Sequence, residues 1–157
     1  IDWYCVDYWS EQLGLDIVML KQEVDHLIAV HPHVVEFLDR LKVLGKHRAL
    51  VTNAHHKSLM LKLERTALHH HLDDIICSHE FGVPKEDASF WSKLQTKLPF
   101  DKQRTLLVDD SLPVLRSAHT YGISGLLAVS KPDSQSPPRQ VDEFQAIYDF
   151  SRIMPEL

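Results

Sequence analysis

The chain has 157 residues, 44% of them hydrophobic and 25% charged, with a formal charge of −5 at pH 7. That length supports one domain with a substantial core. The negative balance excludes a general electrostatic affinity for nucleic acid or acidic membranes, although eleven histidines shift it below about pH 6.5. No apolar run is long enough for a membrane span, and no secretory signal is evident. The two cysteines, Cys5 and Cys77, are too few for a disulfide framework. A reduced, cytoplasmic protein is the reading that follows.

Residues 1–29 read as helical. In "DYWSEQLGLDIVMLKQEVDHLI", Trp9, Leu13, Ile17, Leu20, Val24 and Leu27 recur at steps of three or four. "HPHVVEFLDRLKVLGKH" predicts a helix starting at Pro32 and stopping at Gly45. "RALVTN" (48–53) predicts a buried strand, and a Leu-rich helix follows from about Lys57. "DDIICS" (73–78) is a short strand and "GVPKED" (82–87) a loop, with Asp87 capping the helix "ASFWSKLQTKL". "TLLVDD" is the next strand, and the helix after it has Pro113 in its first turn and Gly122 just past its end. "GLLAVS" is a weaker strand, "KPDSQSPPRQ" (131–140) a loop, and a last short element packs Phe144, Ile147 and Phe150. Strands alternating with helices from residue 32 onward predict an α/β fold with a parallel, doubly wound sheet. The helical first 29 residues do not share that rhythm and read as a separate subdomain, or the end of one.

Ligands of an open parallel sheet bind outside the carboxyl ends of its strands. Thr52 and Asn53 finish "RALVTN", Asp109 and Asp110 finish "TLLVDD", and Lys85 lies in the loop after "DDIICS". A hydroxyl, an amide, an ammonium and two carboxylates are thus expected on one rim. Adjacent carboxylates repel unless a positive group offsets them. Hard oxygens suit Mg²⁺, which takes one or two protein carboxylates and keeps several waters. Thr52, Asn53 and the N–H groups opening the next helix can receive a phosphate, and Lys85 can neutralise charge there. Taken singly, a Thr-Asn turn and a solvated lysine are ordinary, whereas a strand-end acid pair says more because it is costly without a cation. Their order on successive βα units is far more specific.

In that order the chain resembles the haloacid dehalogenase-like phosphohydrolases. Thr52 matches the family's strand-ending Thr or Ser, Lys85 its loop lysine, and Asp109 and Asp110 its acid pair; Glu86-Asp87 replaces the usual Pro-Asp after the lysine. The match runs from about residue 32 to residue 130. More closely, "WYCVDYWSEQLGL", "LVTNAHHKSL" and "TLLVDDSLPVLRSA" resemble bacterial 5′-nucleotidases acting on the purine monophosphates GMP and IMP. The resemblance implies a Mg²⁺-dependent phosphomonoester hydrolase. Asp109 and Asp110 would hold the metal, and Thr52, Asn53 and Lys85 would position and stabilise the phosphoryl group. It also implies that residues 1–29 end a helical cap and that 30–157 form the α/β core.

One departure matters. The family's first motif, Asp-x-Asp, carries the nucleophile and the general acid/base, and no Asp-x-Asp occurs in these 157 residues. The resemblance therefore implies a core lacking its first, central strand, between those ending in Thr52 and Asp109. An upstream segment, or a partner supplying a strand, is expected to fill the gap. A catalytically inert fragment or pseudo-phosphatase that binds Mg²⁺ and anions is the alternative. Receiver domains of two-component signalling also combine an acid pair, a Thr and a Lys, but there the acid pair comes first in the chain.

Remaining candidates read more plainly. His69, His70 and His71 suit a polar helix end better than a metal site, because successive helical residues diverge. His55 and His56 can approach a phosphate or a base, or sit on the surface. Trp3, Tyr4, Tyr8 and Trp9 can bury a helix pair or stack on a purine. Cys5 and Cys77 read as buried, unactivated thiols.

Overall fold

A computed structural model describes residues 17–21, 33–129, 143–147 and 150–157. Among these, six strands form one parallel sheet in the order β3-β2-β1-β4-β5-β6. The strands are β1 (Ile17–Lys21), β2 (His47–Thr52), β3 (Asp74–Cys77), β4 (Thr105–Asp109), β5 (Gly125–Val129) and β6 (Gln145–Ile147). Among the described residues four helices cover the sheet: α1 (His33–Val43), α2 (His56–Thr66), α3 (Ala88–Lys97) and α4 (Leu112–Tyr121). Chain order reverses direction between β1 and β4, so the sheet's topological switch point lies between their carboxyl ends, Lys21 and Asp109.

Alternation along the strands splits the core in two. Leu106 and Val108 of β4 join Leu50, Leu127 and Val129 on one face, packed with Phe37, Leu38 and Leu41 of α1 and Leu59 and Leu63 of α2. Leu107 faces the other way, with Met19, Ala49, Val51 and Ala128, against Phe90, Trp91 and Leu94 of α3 and Val114, Leu115 and Ala118 of α4. A sheet covered on both faces demands strands that are apolar throughout. All five residues of β4 and of β5 are accordingly buried.

The caps follow sequence chemistry. Asp87 accepts the Ser89 N–H at 2.9 Å at the start of α3. Pro113 lies in the first turn of α4, and Gly122 ends that helix at φ 107°, a left-handed conformation that glycine adopts without strain. At the amino-terminal end of the sheet, Arg48 of β2 is 2% exposed. Its guanidinium donates to both Asp73 carboxylate oxygens at 3.2 Å and to Leu38 O at 3.1 Å. Beside it, His47 Nε2 lies 2.6 Å from Asp74 Oδ2.

The structure corrects one reading substantially. Ile17–Lys21, expected in a helix on the cap side of the division at residue 29, is a strand. It pairs in parallel with β2 on one side and β4 on the other, in the slot expected to be empty. The slot is therefore filled, by "IVMLK", although not by a strand that carries Asp-x-Asp. The physical reason is that Ile17, Val18, Met19 and Leu20 form an unbroken apolar run. Helical spacing and strand-like burial compete for such a run, and a slot flanked by two strands satisfies its backbone groups on both sides. The last element also proved more regular than expected: Gln145–Ile147 extends the sheet, and Phe150–Ile153 forms a 3₁₀ turn whose Phe150 packs on Phe37 at 5.2 Å between ring centroids. The proline-containing loop 131–140, Cys5 and the aromatic group Trp3, Tyr4, Tyr8 and Trp9 lie outside the described residues.

Candidate active site

The carboxyl ends of β2 and β4 and the loop before α3 meet around one buried ion pair. Lys85 Nζ lies 3.0 Å from Asp109 Oδ2, and neither side chain is exposed to solvent. The ammonium also donates to Val51 O at 3.3 Å, tying the loop to the end of β2. Asp109 Oδ1 accepts the Ser111 N–H at 2.8 Å, which fixes the turn into α4. A buried carboxylate requires such partners, and Lys85 is the positive group that the acid pair demanded.

Asn53 secures the same loop from the other side. Its Oδ1 accepts the Lys85 N–H at 3.1 Å, and its Nδ2 donates to Glu86 Oε1 at 2.8 Å. Thr52, 5% exposed, spends its hydroxyl oxygen on the Ala54 N–H at 3.0 Å, within its own turn. Of the five candidates, Asn53, Lys85 and Asp109 are joined by direct hydrogen bonds to the 85–86 loop. Thr52 borders them through the β2 terminus, and Asp110, half-buried, follows Asp109 at the start of the turn.

Asp109 and Asp110 are adjacent hard-oxygen donors at the switch point. Among the described residues no group of three or more His, Cys, Asp or Glu side chains is placed to hold a metal. Two carboxylates are nevertheless what Mg²⁺ takes from a protein when water and substrate oxygens complete its shell. Asp109 already has both oxygens engaged, by Lys85 and by the Ser111 N–H, so a fit to that ion rests on Asp110 together with water and substrate oxygens.

Two contributors were not foreseen. Trp91 Nε1 donates to Ser117 Oγ at 2.7 Å, and the Ser117 hydroxyl in turn reaches Lys85 O and, at 3.0 Å, Val114 O. The chain thus links α3, α4 and the backbone of Lys85 in the interior. The available signal was a serine on the buried stripe of α4, beside Val114, Leu115 and Ala118. Ser117→Ala leaves the buried Trp91 N–H without its acceptor, and about 1–3 kcal/mol of stability should be lost, read as a lower midpoint in urea unfolding.

The other candidates stay peripheral. His71 Nδ1 pairs with Asp39 Oδ1 at 2.7 Å in a 3₁₀ turn, Leu68–His71. His55 caps α2 by accepting the Lys57 N–H at 3.3 Å. Burial, aided by nearby Glu80, pushes the Cys77 thiol up, so it is no activated nucleophile.

Several known proteins resemble this chain in sequence or in fold. The GMP/IMP nucleotidase YrfG of Escherichia coli (strain K12) is 41% identical over 157 residues, all of this chain and 71% of that protein. A glyceraldehyde 3-phosphate phosphatase of Methanocaldococcus jannaschii is 29% identical over 84 residues, 54% of this chain and 37% of that one. Among solved structures, a dehalogenase matches with a TM-score of 0.66 at 19% identity, over 77% of this chain and 53% of its own. The L-2-haloacid dehalogenase of Xanthobacter autotrophicus matches with a TM-score of 0.57 at 19% identity, over 66% and 41%. The chain thus spans about half the length of these solved structures, whose likeness is one of fold. The model of the haloacid dehalogenase-like hydrolases matches residues 15–128, most of the chain, and with the full-length similarity above it establishes that the chain belongs to that hydrolase family.

Proposed function

We propose that the chain carries the phosphate- and metal-binding part of a Mg²⁺-dependent phosphomonoester hydrolase acting on purine nucleoside monophosphates. One observation supports this most. The Lys85–Asp109 pair, clamped by Asn53, stands at the switch point of a chain that aligns over its whole length with a GMP/IMP nucleotidase.

In this reading Asp110, backed by Asp109, holds the metal; when bound, the ion offsets negative charge on the phosphoryl oxygens. Lys85 acts from beneath. Its ammonium pairs with Asp109, fixes that carboxylate and ties it to the β2 terminus. Thr52, Asn53 and the N–H groups opening α2 orient the phosphate. The nucleophile of an aspartyl-phosphate route would come from an Asp preceding residue 1, because the 157 residues contain no Asp-x-Asp. A strand delivering it between β2 and β4 would take the place of Ile17–Lys21, since that slot holds one strand. The missing motif equally favours a second reading, an inert relative that binds Mg²⁺ and phosphate without turnover.

The test is phosphate release from GMP and IMP by the protein with its native upstream sequence and by the 157 residues alone. The extended protein should hydrolyse both substrates, stop in EDTA, and lose at least about a hundredfold in kcat with Asp110→Asn. The 157 residues should bind phosphate but release none. An extended protein that binds Mg²⁺ and GMP yet never turns over would establish the second reading instead.

A further inference from the structure

A cleft of about 330 Å³ opens beside the ion pair, between the loops that follow β2 and β3, lined by Asn53, Ser78, His79, Gly82, Val83 and Pro84. We propose that this cleft seats the purine base, with His79 as the residue that reads it. The proposal rests on the phosphomonoesterase reading above and assigns its leaving-group side.

Four observations converge. First, Asn53 belongs to both places. It lines the cleft while its amide is clamped between Lys85 and Glu86, so the cleft is fixed relative to the phosphate-binding rim. A ligand with its phosphate at the rim can lay its remaining bulk across Asn53. Second, the wall suits a flat, mostly apolar ring with polar edges. Val83 and Pro84 supply apolar surface, and Ser78 and Asn53 supply polar groups. Third, His79 is exposed, and its ring stands edge-on to His55 with centroids 5.4 Å apart. His55 is itself held, because its Nδ1 accepts the Lys57 N–H. An imidazole supported from one side is a stacking platform for a base.

Fourth, the loop that carries His79 is pinned before any ligand arrives. Lys93 donates to Phe81 O at 3.0 Å, and Lys97 pairs with Glu80, anchoring the loop to α3. At Gly82, with φ +70°, an added Cβ would meet nothing within 4 Å, so this side of the wall is open space. The cleft is therefore preformed, and little ordering entropy opposes binding.

The test titrates guanosine, cytidine, GMP and inorganic phosphate by calorimetry into the native protein, His79→Ala and Val83→Trp, the last filling the cleft. Guanosine should bind more tightly than cytidine. Both variants should weaken guanosine and GMP by about tenfold or more, with phosphate affinity unchanged, which also reports that they are folded. Phosphate binding with guanosine and GMP unaffected in both variants, or guanosine no better than cytidine, overturns the base-site assignment and leaves the phosphatase reading standing. Variant-sensitive guanosine binding without phosphate binding does the reverse. Binding of none of the four ligands overturns both.

Discussion

Lys85→Met is expected to destabilise the protein by about 3–5 kcal/mol, the cost of leaving a buried carboxylate without its counter-charge. Lys85 and Asp109 have no solvent-exposed side-chain surface, so water cannot take over the role of the ammonium. The methionine fills the volume but offers no donor. Asp109 would keep the Ser111 N–H, and Val51 O would lose a donor. Asp109→Asn alone should also be costly, because it strands a buried ammonium. The double variant should cost clearly less than the two singles together, since removing both charges removes the imbalance. Urea midpoints of the four proteins decide this, and strict additivity would mean that the pair is not coupled.

Asp73→Ala should lower stability by about 1–3 kcal/mol at neutral pH, less than for a fully buried pair because the Asp73 side chain is 37% exposed and water screens it. Arg48 would retain Leu38 O but lose its contacts to both carboxylate oxygens. The effect is pH-dependent with a definite sign. Burial alone would raise the Asp73 carboxyl, but hydrogen bonds and charge from Arg48, with a smaller contribution from His47, hold it below its ordinary value of 3.8. A carboxyl lowered in the folded state stabilises above its unfolded value, and that contribution is lost as pH falls through the folded one. The gap between wild type and Asp73→Ala should therefore be full above about pH 5 and shrink as acid protonates Asp73. Thermal melts from pH 7 down to pH 3 read it directly. A gap independent of pH would show that Arg48 needs only the shape of its partner.

The strands β2 to β5 and the helices between them were legible because their apolar runs and stop signals agree: Pro113 and Gly122 around α4, Asp87 before α3. β1 was not. Its five residues carry two periodicities at once, and only the presence of flanking β2 and β4 selects the strand, a tertiary effect that a local window misses. β6 was hidden by its length of three residues. At the site, sequence order put Lys85 near Asp109, since both follow strands of one parallel sheet. It said nothing of depth. An ammonium expected at the rim lies buried because Ser117 and Asn53 draw its backbone inward, contacts between segments far apart in sequence. Glu86, in the same loop, could be noticed only once Asn53 had a place.

The position of β1 has a consequence for how the molecule assembles. β2, α2 and β3 are consecutive and can form as a local unit, and so can β4, α4 and β5. β1 joins those two units: Ile17 pairs with His47 on one side and with Thr105 on the other. The contact with β4 closes the longest loop in the sheet, so its entropy cost comes before most of its reward. Until that strand zips in, each half exposes a bare parallel edge, and the Lys85–Asp109 pair, which spans the halves, has no reason to form. The step that completes the sheet is thus also the step that brings Lys85 and Asp109 together, and a protein halted before it would be sticky at its edges and without its buried ion pair.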